Sequence, residues 1–490
     1  MRDIIFTFFN YFVFFYTSML AIFFVTFAFL SFISLKRRKD YYVESYMRKT
    51  IKESPYTPGI SVIAPAFNEE KTIIDNVNSM LALEYPLFEV VIVNDGSTDS
   101  TLKKMIEHYE LIEVPYAYIE RIKTKPFRRL FKSTSPKYSR LIVVDKENGG
   151  TKADASNAGI NVSSYPYFIC TDVDCILEKY ALYRCISPII SSDKQVIAVS
   201  GTMLMANGCV VKDGQIVDVR TPRTPIPLFQ NLEYMRSYLI GKMGWSAING
   251  MPNVSGGFGL FDRSVAIAAG GYDGTSFAED MDLITRMVGY MCDFSRPYKI
   301  IQIPDTCCWT EGPPNLAMHR QRTRWARGLF QTLSIHHKMI FKKTYKQMGL
   351  LTLPYMFVFE FLAPIIELTG LIVFIYLAFT GAVNWNTAWM IYLTIYTFCQ
   401  FLSIVVITYD YYVGMLYKRG YEYLWIIIAS ILEPIFYHPI ITFCSLRGYL
   451  SYLTNRDFKW KNMERKGFKQ KEENTDDAET AAMKPEPATI

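Results

Sequence analysis

The sequence predicts an α/β domain with a mostly parallel sheet flanked by helices, together with an α-helical transmembrane region. Between about residues 58 and 345, short β-rich runs alternate with helical stretches, which is the pattern of a parallel α/β sheet. Long uncharged apolar runs lie on both sides of that segment. Half of the 490 residues are hydrophobic and only 20% are charged. This balance is too apolar for a wholly soluble chain and too polar for a helical membrane bundle alone.

Charge and cysteine usage exclude several classes of protein. The 52 basic and 46 acidic residues leave a net charge of only +6, which does not indicate nucleic-acid binding. Much of the basic excess flanks the apolar runs, where it indicates contact with a lipid bilayer. The nine cysteines contain no CxxC pair and do not cluster with the five histidines. We therefore expect a reducing compartment, without a disulfide framework or a structural zinc site.

Residues 1–35 form the predicted N-terminal transmembrane helix. Residues 4–35 carry no charge, and this run exceeds the roughly 20 residues that cross a bilayer core. A signal peptide has a shorter apolar region and a small-residue cleavage site, whereas this run passes directly into four basic residues at 36–39. That positive flank predicts a cytosolic basic linker over 36–57, with the N-terminus outside an integral cell (inner) membrane protein.

A second apolar block, over 346–447, predicts an interfacial helix and C-terminal transmembrane helices. Pro354, Glu360 and Pro364 interrupt its first part. The opening half is therefore either an interfacial helix that leads into a span from about 364 or part of a short hairpin. The candidate spans are 349–383, 387–409 and 423–446.

The remaining residues, 448–490, form a predicted polar tail. From about 470 the tail is too poor in apolar residues to order itself. Lys418 and Arg419 predict a cytosolic loop, while the basic start of the tail predicts a cytosolic C-terminus. These two indications conflict, so the sequence leaves open the number of spans and the side of the C-terminus.

Polar residues follow the clearest strands of the middle segment. Ligands of parallel α/β sheets bind beyond the carboxyl ends of the strands, so these residues are the candidates for chemistry. They read APAFNEE, NDGSTDS, KENGGTKADASNAG and DVD. The strands are predicted at Ile60–Ala64, Glu89–Val93, Arg140–Asp145 and Tyr167–Thr171, and the clearest helices at Glu69–Ala82 and Ser100–Tyr109.

Taken together and in this order, the motifs resemble the nucleotide-sugar-binding half of a family 2 glycosyltransferase with the GT-A fold. Downstream, AED at 278–280 stands where that family has Thr-Glu-Asp, and QRTRW at 321–325 matches the QxxRW motif of its processive membrane-bound synthases. Cellulose, chitin, hyaluronan and poly-N-acetylglucosamine synthases share this plan. The stretches SGGFGLFDRS and GGYDGTSFAEDMDL are most similar to the poly-N-acetylglucosamine side. The resemblance implies that residues 58–345 form a cytosolic GT-A domain.

The resemblance also implies a donor site with a divalent cation. Asp172 and Asp174 match the carboxylate ligands that Mg²⁺ or Mn²⁺ accepts beside substrate phosphates, and Asp172 would also lie near the nucleotide. Lys152 would contact the diphosphate or sugar, and Asp95 and Glu69 would accept hydrogen bonds from uridine. The local alternatives are helix capping for the acid pair, a turn for Asp95, a first helical turn for Glu69 and solvation for Lys152.

Acceptor chemistry is assigned to the AED motif and to the segment before it. Asp280 is the predicted general base, which takes the proton of the attacking hydroxyl in an inverting displacement. Glu279 would support it. A pair of acids at a helix N-terminus is the alternative. Ser255, in the SGGF stretch, is predicted to line the acceptor cleft, with close backbone packing as its alternative.

The QxxRW motif supplies donor and acceptor contacts on one helix. Arg324 offers a fork of donors for phosphate oxygens, and Gln321 lies three residues before it on the same predicted face. Trp325 offers an aromatic surface for a sugar ring, although a tryptophan beside a membrane is often an interface anchor. The neighbouring arginines are expected to face anionic headgroups; they are Arg320, Arg322 and Arg327.

Two further segments carry expectations about the membrane. Residues 121–140 contain eight basic residues and no acid, which indicates either a membrane-surface contact or a mobile basic loop. Glu360 and Glu367 lie in apolar surroundings, so they should face protein or water, as in a polar glycan conduit.

The sequence therefore predicts a membrane-integrated, inverting, processive β-glycosyltransferase that uses a UDP-sugar and exports its polysaccharide. UDP-N-acetylglucosamine is the expected donor. The alternatives are a non-processive transferase that acts on a lipid-linked acceptor and, from another class, a nucleotide-binding transporter or sensor. The last would lack a Walker motif and leave the DVD, AED and QRTRW motifs unexplained. An accessory membrane subunit is not readable from the sequence.

Overall fold

A computed structural model of the chain describes residues 2–454 except positions 42, 43, 116, 213 and 314. The strands are β1 (Ile60–Ala66), β2 (Phe88–Asp95), β3 (Leu111–Glu113), β4 (Phe127–Ser133), β5 (Leu141–Lys146), β6 (Tyr167–Thr171), β7 (Ile176–Leu177), β8 (Gln195–Met205), β9 (Val210–Lys212), β10 (Gln215–Asp218), β11 (Phe258–Asp262) and β12 (Tyr298–Thr310). The first eleven helices are α1 (Arg2–Tyr41), α2 (Glu44–Glu53), α3 (Ile73–Leu81), α4 (Thr101–His108), α5 (Lys152–Val162), α6 (Ala181–Ile190), α7 (Pro225–Arg236), α8 (Met243–Ala247), α9 (Arg263–Ala268), α10 (Glu279–Asp293) and α11 (Met318–Ile335).

The described strands form a ten-stranded sheet in the order β3-β4-β5-β2-β1-β6-β11-β8-β12-β7. Four neighbours, β5, β2, β1 and β6, run parallel. Every residue of β2 and β5 is buried, which explains why these strands read as almost continuous apolar runs. The predicted α/β fold class and the four predicted strands are confirmed.

The antiparallel strand β11 brings a distant part of the chain to the parallel strands. β11 pairs with β6, and Phe258 lies opposite Thr171. Because the pairing is antiparallel, the residues that precede Phe258 lie beside those that follow Thr171. Residues 255–257 and 172–174 therefore meet at the same edge of the sheet.

Part of the basic segment 121–140 is a strand. β4 pairs antiparallel with β5 on one side and β3 on the other. Arg129 in β4 forms an ion pair with Asp145, with 2.9 Å between the guanidinium and carboxylate atoms. The mobile-loop alternative is therefore wrong for β4. A membrane contact of the exposed basic side chains stays a prediction.

Three helical stretches in the described residues are long and apolar enough to cross a membrane. They are Tyr11–Arg37, Met348–Phe379 and Trp385–Val413. Gly420–Phe436 and His438–Leu453 form a fourth candidate, because they pass the same test together although they meet at a 50° bend. These helices indicate an integral membrane protein, with three candidate spans in the described residues, or four if the bent pair is one span.

Helix ends differ from two of the predicted boundaries. α1 and α2 occupy most of residues 36–57, so the predicted linker is largely helical. Helix α16 (His438–Leu453) continues past the predicted start of the tail at 448. The rest of that tail, including the stretch from 470 expected to be disordered, lies outside the described residues.

The stretch Met348–Phe379 decides against the hairpin that the sequence left open. It contains α12 (Leu353–Tyr355) and α13 (Ala363–Phe379); a wide π-helical turn at Met348–Thr352 precedes α12, and another at Met356–Phe361 lies between the two helices. The chain therefore passes both prolines as one helical stretch of 32 residues. The hairpin alternative is therefore wrong, and the widened turns accommodate the prolines, which lack an N–H donor. An interfacial position of the opening half, before a span from about 364, stays a prediction.

The last helices, α14 (Trp385–Val413), α15 (Gly420–Phe436) and α16, connect the membrane region to the domain. α16 packs along α11, the helix that carries the QRTRW motif. A Cβ atom at Gly448 would lie 2.6 Å from the Thr323 carbonyl oxygen and 2.8 Å from the Ala326 Cβ. Only a glycine permits this approach of the two helices.

We predict that Gly448→Ala lowers the melting temperature of the detergent-solubilised protein. The added methyl group collides with α11, and overpacking of this kind costs about 1–3 kcal/mol. Gly370→Ala is the matched control, because a Cβ there has nothing within 4 Å. Equal melting temperatures for the two variants would contradict the close contact between α11 and α16.

Candidate active site

The carboxyl ends of the central parallel strands bring several of the predicted residues together. Asp95 ends β2, and Lys146 ends the neighbouring strand β5. Asp172 directly follows β6. A parallel arrangement puts these chain positions at one edge of the sheet, which is where ligands of α/β folds bind.

Asp95 is held by a lysine that the motif analysis did not single out. The Lys146 ammonium donates to Asp95 Oδ1 at 2.8 Å, and the Gly149 N–H donates to the same oxygen at 3.0 Å. Lys146 is fully buried and also pairs with Asp154. A buried ammonium needs such acidic partners. The signal in the sequence is the Asp-Lys pair that ends the apolar run LIVV at 141–144.

Glu69 takes part in a local helix-start structure. Its carboxylate accepts a hydrogen bond from the Thr72 hydroxyl at 3.1 Å, and its backbone N–H donates to the Thr101 hydroxyl at 2.8 Å. These contacts agree with the first-turn alternative. The role of Glu69 in binding a nucleobase stays a prediction.

The acid pair after β6 offers a set of ligands for a hard cation. One ligand atom each from Asp172, Asp174 and Cys175 lie within 4.8 Å of one another. Two carboxylates are the oxygen donors that Mg²⁺ and Mn²⁺ prefer. Cys175 is buried, whereas 40% of the Asp172 side chain is exposed. The donor set therefore fits a divalent cation that also contacts an incoming phosphate.

Lys152 connects the acid pair with the loop before β11. Its ammonium donates to Asp172 Oδ1 and to the Gly256 carbonyl oxygen, both at 2.6 Å. Burial by itself would lower the pKa of Lys152, but the combined effect of Asp172, Cys170 and Glu279 outweighs it and the net shift of the pKa is upward. Lys152 therefore carries a positive charge where a diphosphate would enter. This contact removes the solvated-lysine alternative.

The same loop connects Lys152 to the predicted base. The Gly256 N–H donates to Asp280 Oδ2 at 3.0 Å. Ser255 accepts a long hydrogen bond of 3.4 Å from the Gly257 N–H through its own hydroxyl. Asp172, Lys152, Gly256 and Asp280 thus form one continuous chain of hydrogen bonds. Ser255 lies beside this chain without belonging to it.

Glu279 and Asp280 start α10, as the helix-terminus interpretation of the motif requires. The Glu279 carboxylate lies 3.9 Å from the Arg324 guanidinium, and only 14% of its side chain is exposed. Burial raises the pKa of Glu279, and the lowering effect of Arg324 is smaller. Glu279 therefore holds a proton more tightly than an exposed glutamate.

The QRTRW residues divide between the site and the neighbouring helices. Gln321 accepts a hydrogen bond from the Gln230 side chain in α7 at 3.1 Å. Trp325 is half-buried, with the Arg322 guanidinium 4.6 Å from its ring centre. Trp325 is therefore held by a protein contact as well as by its helix.

The expectation that the neighbouring arginines face headgroups is wrong for two of them. Arg322 is buried and binds both carboxylate oxygens of Glu233, at 2.6 and 2.5 Å. Arg327 is buried with its guanidinium 3.8 Å from the centre of the Phe277 ring. Arg320 is exposed. A sequence motif does not reveal which acid pairs with a given arginine, because the acid lies on another helix.

A cavity of about 470 Å³ opens beside this chain of hydrogen bonds. Its described walls are the start of α5, the loop 274–277 and part of α11; the charged lining residues are Lys152, Glu279, Arg324 and Arg327. Three cations in one cleft suit an anionic substrate. The other predicted residues lie outside this lining; they are Glu69, Asp95, Asp172, Asp174, Ser255, Asp280, Gln321 and Trp325.

A second buried lysine, Lys242, belongs to none of the sequence motifs. It is 7% exposed and lies 4.6 Å from the centre of the Tyr238 ring, in the π-helical segment Ser237–Lys242. Burial lowers the pKa of Lys242 to about 8, and the charge of Asp280 opposes that shift. A lysine within the apolar run YLIGKMGW was the available signal.

We predict that Glu279→Gln stabilises the folded protein at neutral and alkaline pH. A pKa raised by folding means that the ionised form of Glu279 costs stability at high pH. This cost in stability declines as the pH falls through the raised pKa of the folded state, and it is absent below the ordinary glutamate pKa of about 4.3. Thermal unfolding of the detergent-purified protein should therefore show a gain at pH 8 that shrinks towards pH 4.5. The control is Glu107→Gln, because that side chain is 64% exposed, and a pH-independent gain would contradict the assignment.

Comparisons with known proteins agree with this geometry. The model of Glycosyl transferase family 2 matches residues 61–203, and that of Glycosyl transferase family group 2 matches residues 222–409. A poly-β-1,6-N-acetyl-D-glucosamine synthase of Staphylococcus aureus is 29% identical over 278 residues, which are 56% of this chain and 55% of that protein. The corresponding synthase of Staphylococcus epidermidis is 27% identical over 282 residues, 57% of each chain. The chain thus spans just over half the length of these curated relatives.

A solved structure of a mannosyltransferase from Pyrobaculum calidifontis, in complex with GDP-Man and Mn²⁺, is 18% identical with a TM-score of 0.49. The match covers 85% of this chain and 99% of the mannosyltransferase chain. The two family models follow each other along the sequence, one over the parallel strands and the acid pair, the other over the base motif, QRTRW and membrane helices. On the two family models and on its sheet, the chain belongs to glycosyltransferase family 2 and is an enzyme with the GT-A fold.

Proposed function

We propose that this glycosyltransferase polymerises N-acetylglucosamine from UDP-N-acetylglucosamine and exports the growing polysaccharide through its own membrane helices. The hydrogen-bonded chain from Asp172 through Lys152 and Gly256 to Asp280 carries the proposal. It joins a carboxylate that would hold the cation for the leaving diphosphate to a carboxylate that would take the proton of the attacking hydroxyl. The names of the staphylococcal relatives support the choice of sugar.

Donor binding is assigned to the acid pair and the cations around the cavity. Asp172 and Asp174 would hold Mg²⁺ or Mn²⁺, which supplies positive charge to the diphosphate as it leaves. Lys152 and Arg324 would add donors for its oxygens. Asp95, fixed by Lys146, would accept hydrogen bonds from the nucleoside.

Asp280 is assigned the proton transfer. In a single displacement, the acceptor oxygen forms a bond to the anomeric carbon while the bond from that carbon to the diphosphate breaks, with inversion. The proton of the attacking hydroxyl moves to the Asp280 carboxylate. Glu279 lies next to it, 3.9 Å from the Arg324 guanidinium, and would support the base by orienting the acceptor.

The acceptor end of the polymer is assigned to the other face of the site. Trp325 would stack on the terminal sugar, with Gln321 and Ser255 beside it. The Arg322 contact holds the ring in one orientation. Fixed orientation matters because the attacking hydroxyl must lie within hydrogen-bond reach of Asp280.

The catalytic domain is assigned to the cytosol, with the N-terminus outside the cell membrane. The basic residues that follow the first apolar run support this orientation. UDP-sugars are then available to the domain, and the polymer leaves on the other side. Glu367, which accepts hydrogen bonds from His438 and Thr442, contacts protein as expected for an acid in a span.

The proposed function is tested with sealed inside-out membrane vesicles and radiolabelled UDP-N-acetylglucosamine. We expect polymer to accumulate in the lumen, protected from an added glycosidase until detergent is present. Right-side-out vesicles should incorporate no label until they are permeabilised. UDP-glucose and UDP-glucuronic acid should not substitute. Label confined to single-sugar products would contradict polymerisation, and incorporation by intact right-side-out vesicles would contradict the orientation.

Trp325→Ala is the matched variant for chain extension in the same vesicles. Loss of the aromatic surface should shorten or abolish the polymer while UDP binding persists. Polymer of unchanged length and rate would restrict Trp325 to anchoring at the membrane interface.

We further predict that Asp174→Asn and Asp280→Asn fail in different ways. Asp174→Asn should weaken UDP binding measured by calorimetry with Mn²⁺, and chelation should abolish turnover of the unaltered enzyme. Asp280→Asn should keep UDP binding and lose about 100-fold or more in kcat, because it cannot take a proton. Full activity in excess chelator would remove the metal assignment. Normal turnover of Asp280→Asn would move the base elsewhere.

A further inference from the structure

Helix α11 contacts the base segment through residues that lie beyond the QRTRW motif. Gln321, Arg324 and Trp325 occupy the first half of the helix. Further along, Arg327, Gly328 and Gln331 contact the loop that leads into Glu279 and Asp280. One helix therefore carries both the predicted substrate contacts and the support of the predicted base.

Gln331 makes two hydrogen bonds with the backbone of this loop. Its side-chain oxygen accepts a hydrogen bond from the Phe277 N–H at 2.9 Å. Its side-chain nitrogen donates to the Thr275 carbonyl oxygen at 3.0 Å. A single amide thus satisfies a donor and an acceptor of the loop backbone two residues apart, and this fixes both the position and the orientation of that loop.

Two neighbours of Gln331 bring the same loop against the helix. A Cβ atom at Gly328 would lie 2.5 Å from the Ala278 Cβ and 2.9 Å from the Ala278 nitrogen, so the loop backbone touches the helix there. The Arg327 guanidinium covers the Phe277 ring. The close approach at Gly328 also explains why a small residue stands at position 278.

The other side of the base motif is anchored to the end of the same helix. Asp282 Oδ1 lies 2.8 Å from His336 Nε2, and Asp282 Oδ2 accepts a hydrogen bond from Arg286 at 2.8 Å. His336 directly follows α11. Glu279 and Asp280 therefore lie between two attachments to α11, one at residues 275–278 and one at Asp282.

We propose that Gln331 is a positioning residue, which holds the loop 275–278 so that Glu279 and Asp280 keep a fixed distance from Arg324 and Trp325. This inference rests on the proposed function of Asp280. Gln331 is not among the residues that line the cavity, whereas Thr275, Ser276 and Phe277 are. Gln331 therefore affects the cavity indirectly, through the position of the loop that lines it. Displacement of a reacting group by about 1 Å can reduce the rate about 100-fold.

Hydrogen exchange tests the geometry without any substrate. Gln331→Met keeps the length of the side chain but removes both hydrogen bonds, whereas Gln331→Glu keeps an acceptor for the Phe277 N–H. We expect amide exchange at Phe277 to rise roughly fivefold to tenfold in Gln331→Met, as expected when its own hydrogen bond is lost, with a rise also in the neighbouring amides of 275–278 as the loop loosens. Gln331→Glu should retain the protection at Phe277. Wild-type exchange in Gln331→Met would overturn the proposal.

Kinetics test the consequence for the reaction. Gln331→Met should lower kcat by about 10–100-fold and change the KM for the UDP-sugar far less, because the groups assigned to the donor diphosphate lie on other segments: Asp172 and Asp174 follow β6, Lys152 starts α5 and Arg324 lies on α11. The control is Gln195→Met, which removes one hydrogen bond, from Gln195 to Asp262, at the start of β8. It should leave kcat unchanged.

The outcomes separate this inference from the proposed function. If the wild-type protein transfers no sugar, the proposed function fails and the exchange data still decide whether Gln331 holds the loop. If the wild-type protein is active and Gln331→Met has a normal kcat, the positioning role is wrong. An equal loss of kcat in Gln195→Met would also overturn it, since the effect would then reflect general destabilisation.

Discussion

The ion pair between Lys152 and Asp172, extended through Gly256 to Asp280, is the interaction on which the site depends. It joins four parts of the chain that are separated in sequence. Its geometry requires that β11 lie antiparallel to β6, because only that pairing brings the Gly256 backbone beside the acid pair. The family 2 motifs are thereby assembled by backbone register as much as by side-chain chemistry.

Several buried charged side chains in and around this site form ion pairs with partners of opposite charge. Lys146 lies between Asp95 and Asp154, Arg322 binds Glu233, and Glu422, fully buried, accepts from Arg223. Removing one member of the buried Lys146–Asp95 pair leaves an uncompensated charge and costs about 3–5 kcal/mol. The pairs of Glu233 and Arg223 contribute less, because those side chains are 34% and 40% exposed. These pairs therefore restrict which substitutions the domain tolerates, and the last two connect it to the membrane helices through Tyr437 and α15.

Helix α11 transmits this rigidity from the membrane region to the chemistry. α16 approaches it at Gly448, and the base segment approaches it at Gly328. Two glycines on one helical assembly thus set two close distances. A side chain at either position would separate the packed elements, because protein interiors have little free volume. The predicted base is consequently coupled to the same helix that presents Trp325.

The sequence by itself determined the fold class, the four central strands, the first membrane helix and the family motifs. Apolar periodicity and strand-end polar residues are local signals, and they are readable without a partner. Only the tertiary structure decided the antiparallel β11, the continuous helical stretch through Pro354 and Pro364, and the burial of Arg322. It also decided the contacts of Lys146 and Gln331. Each of these depends on atoms contributed by distant chain segments, and local sequence patterns carry no information about which segments meet.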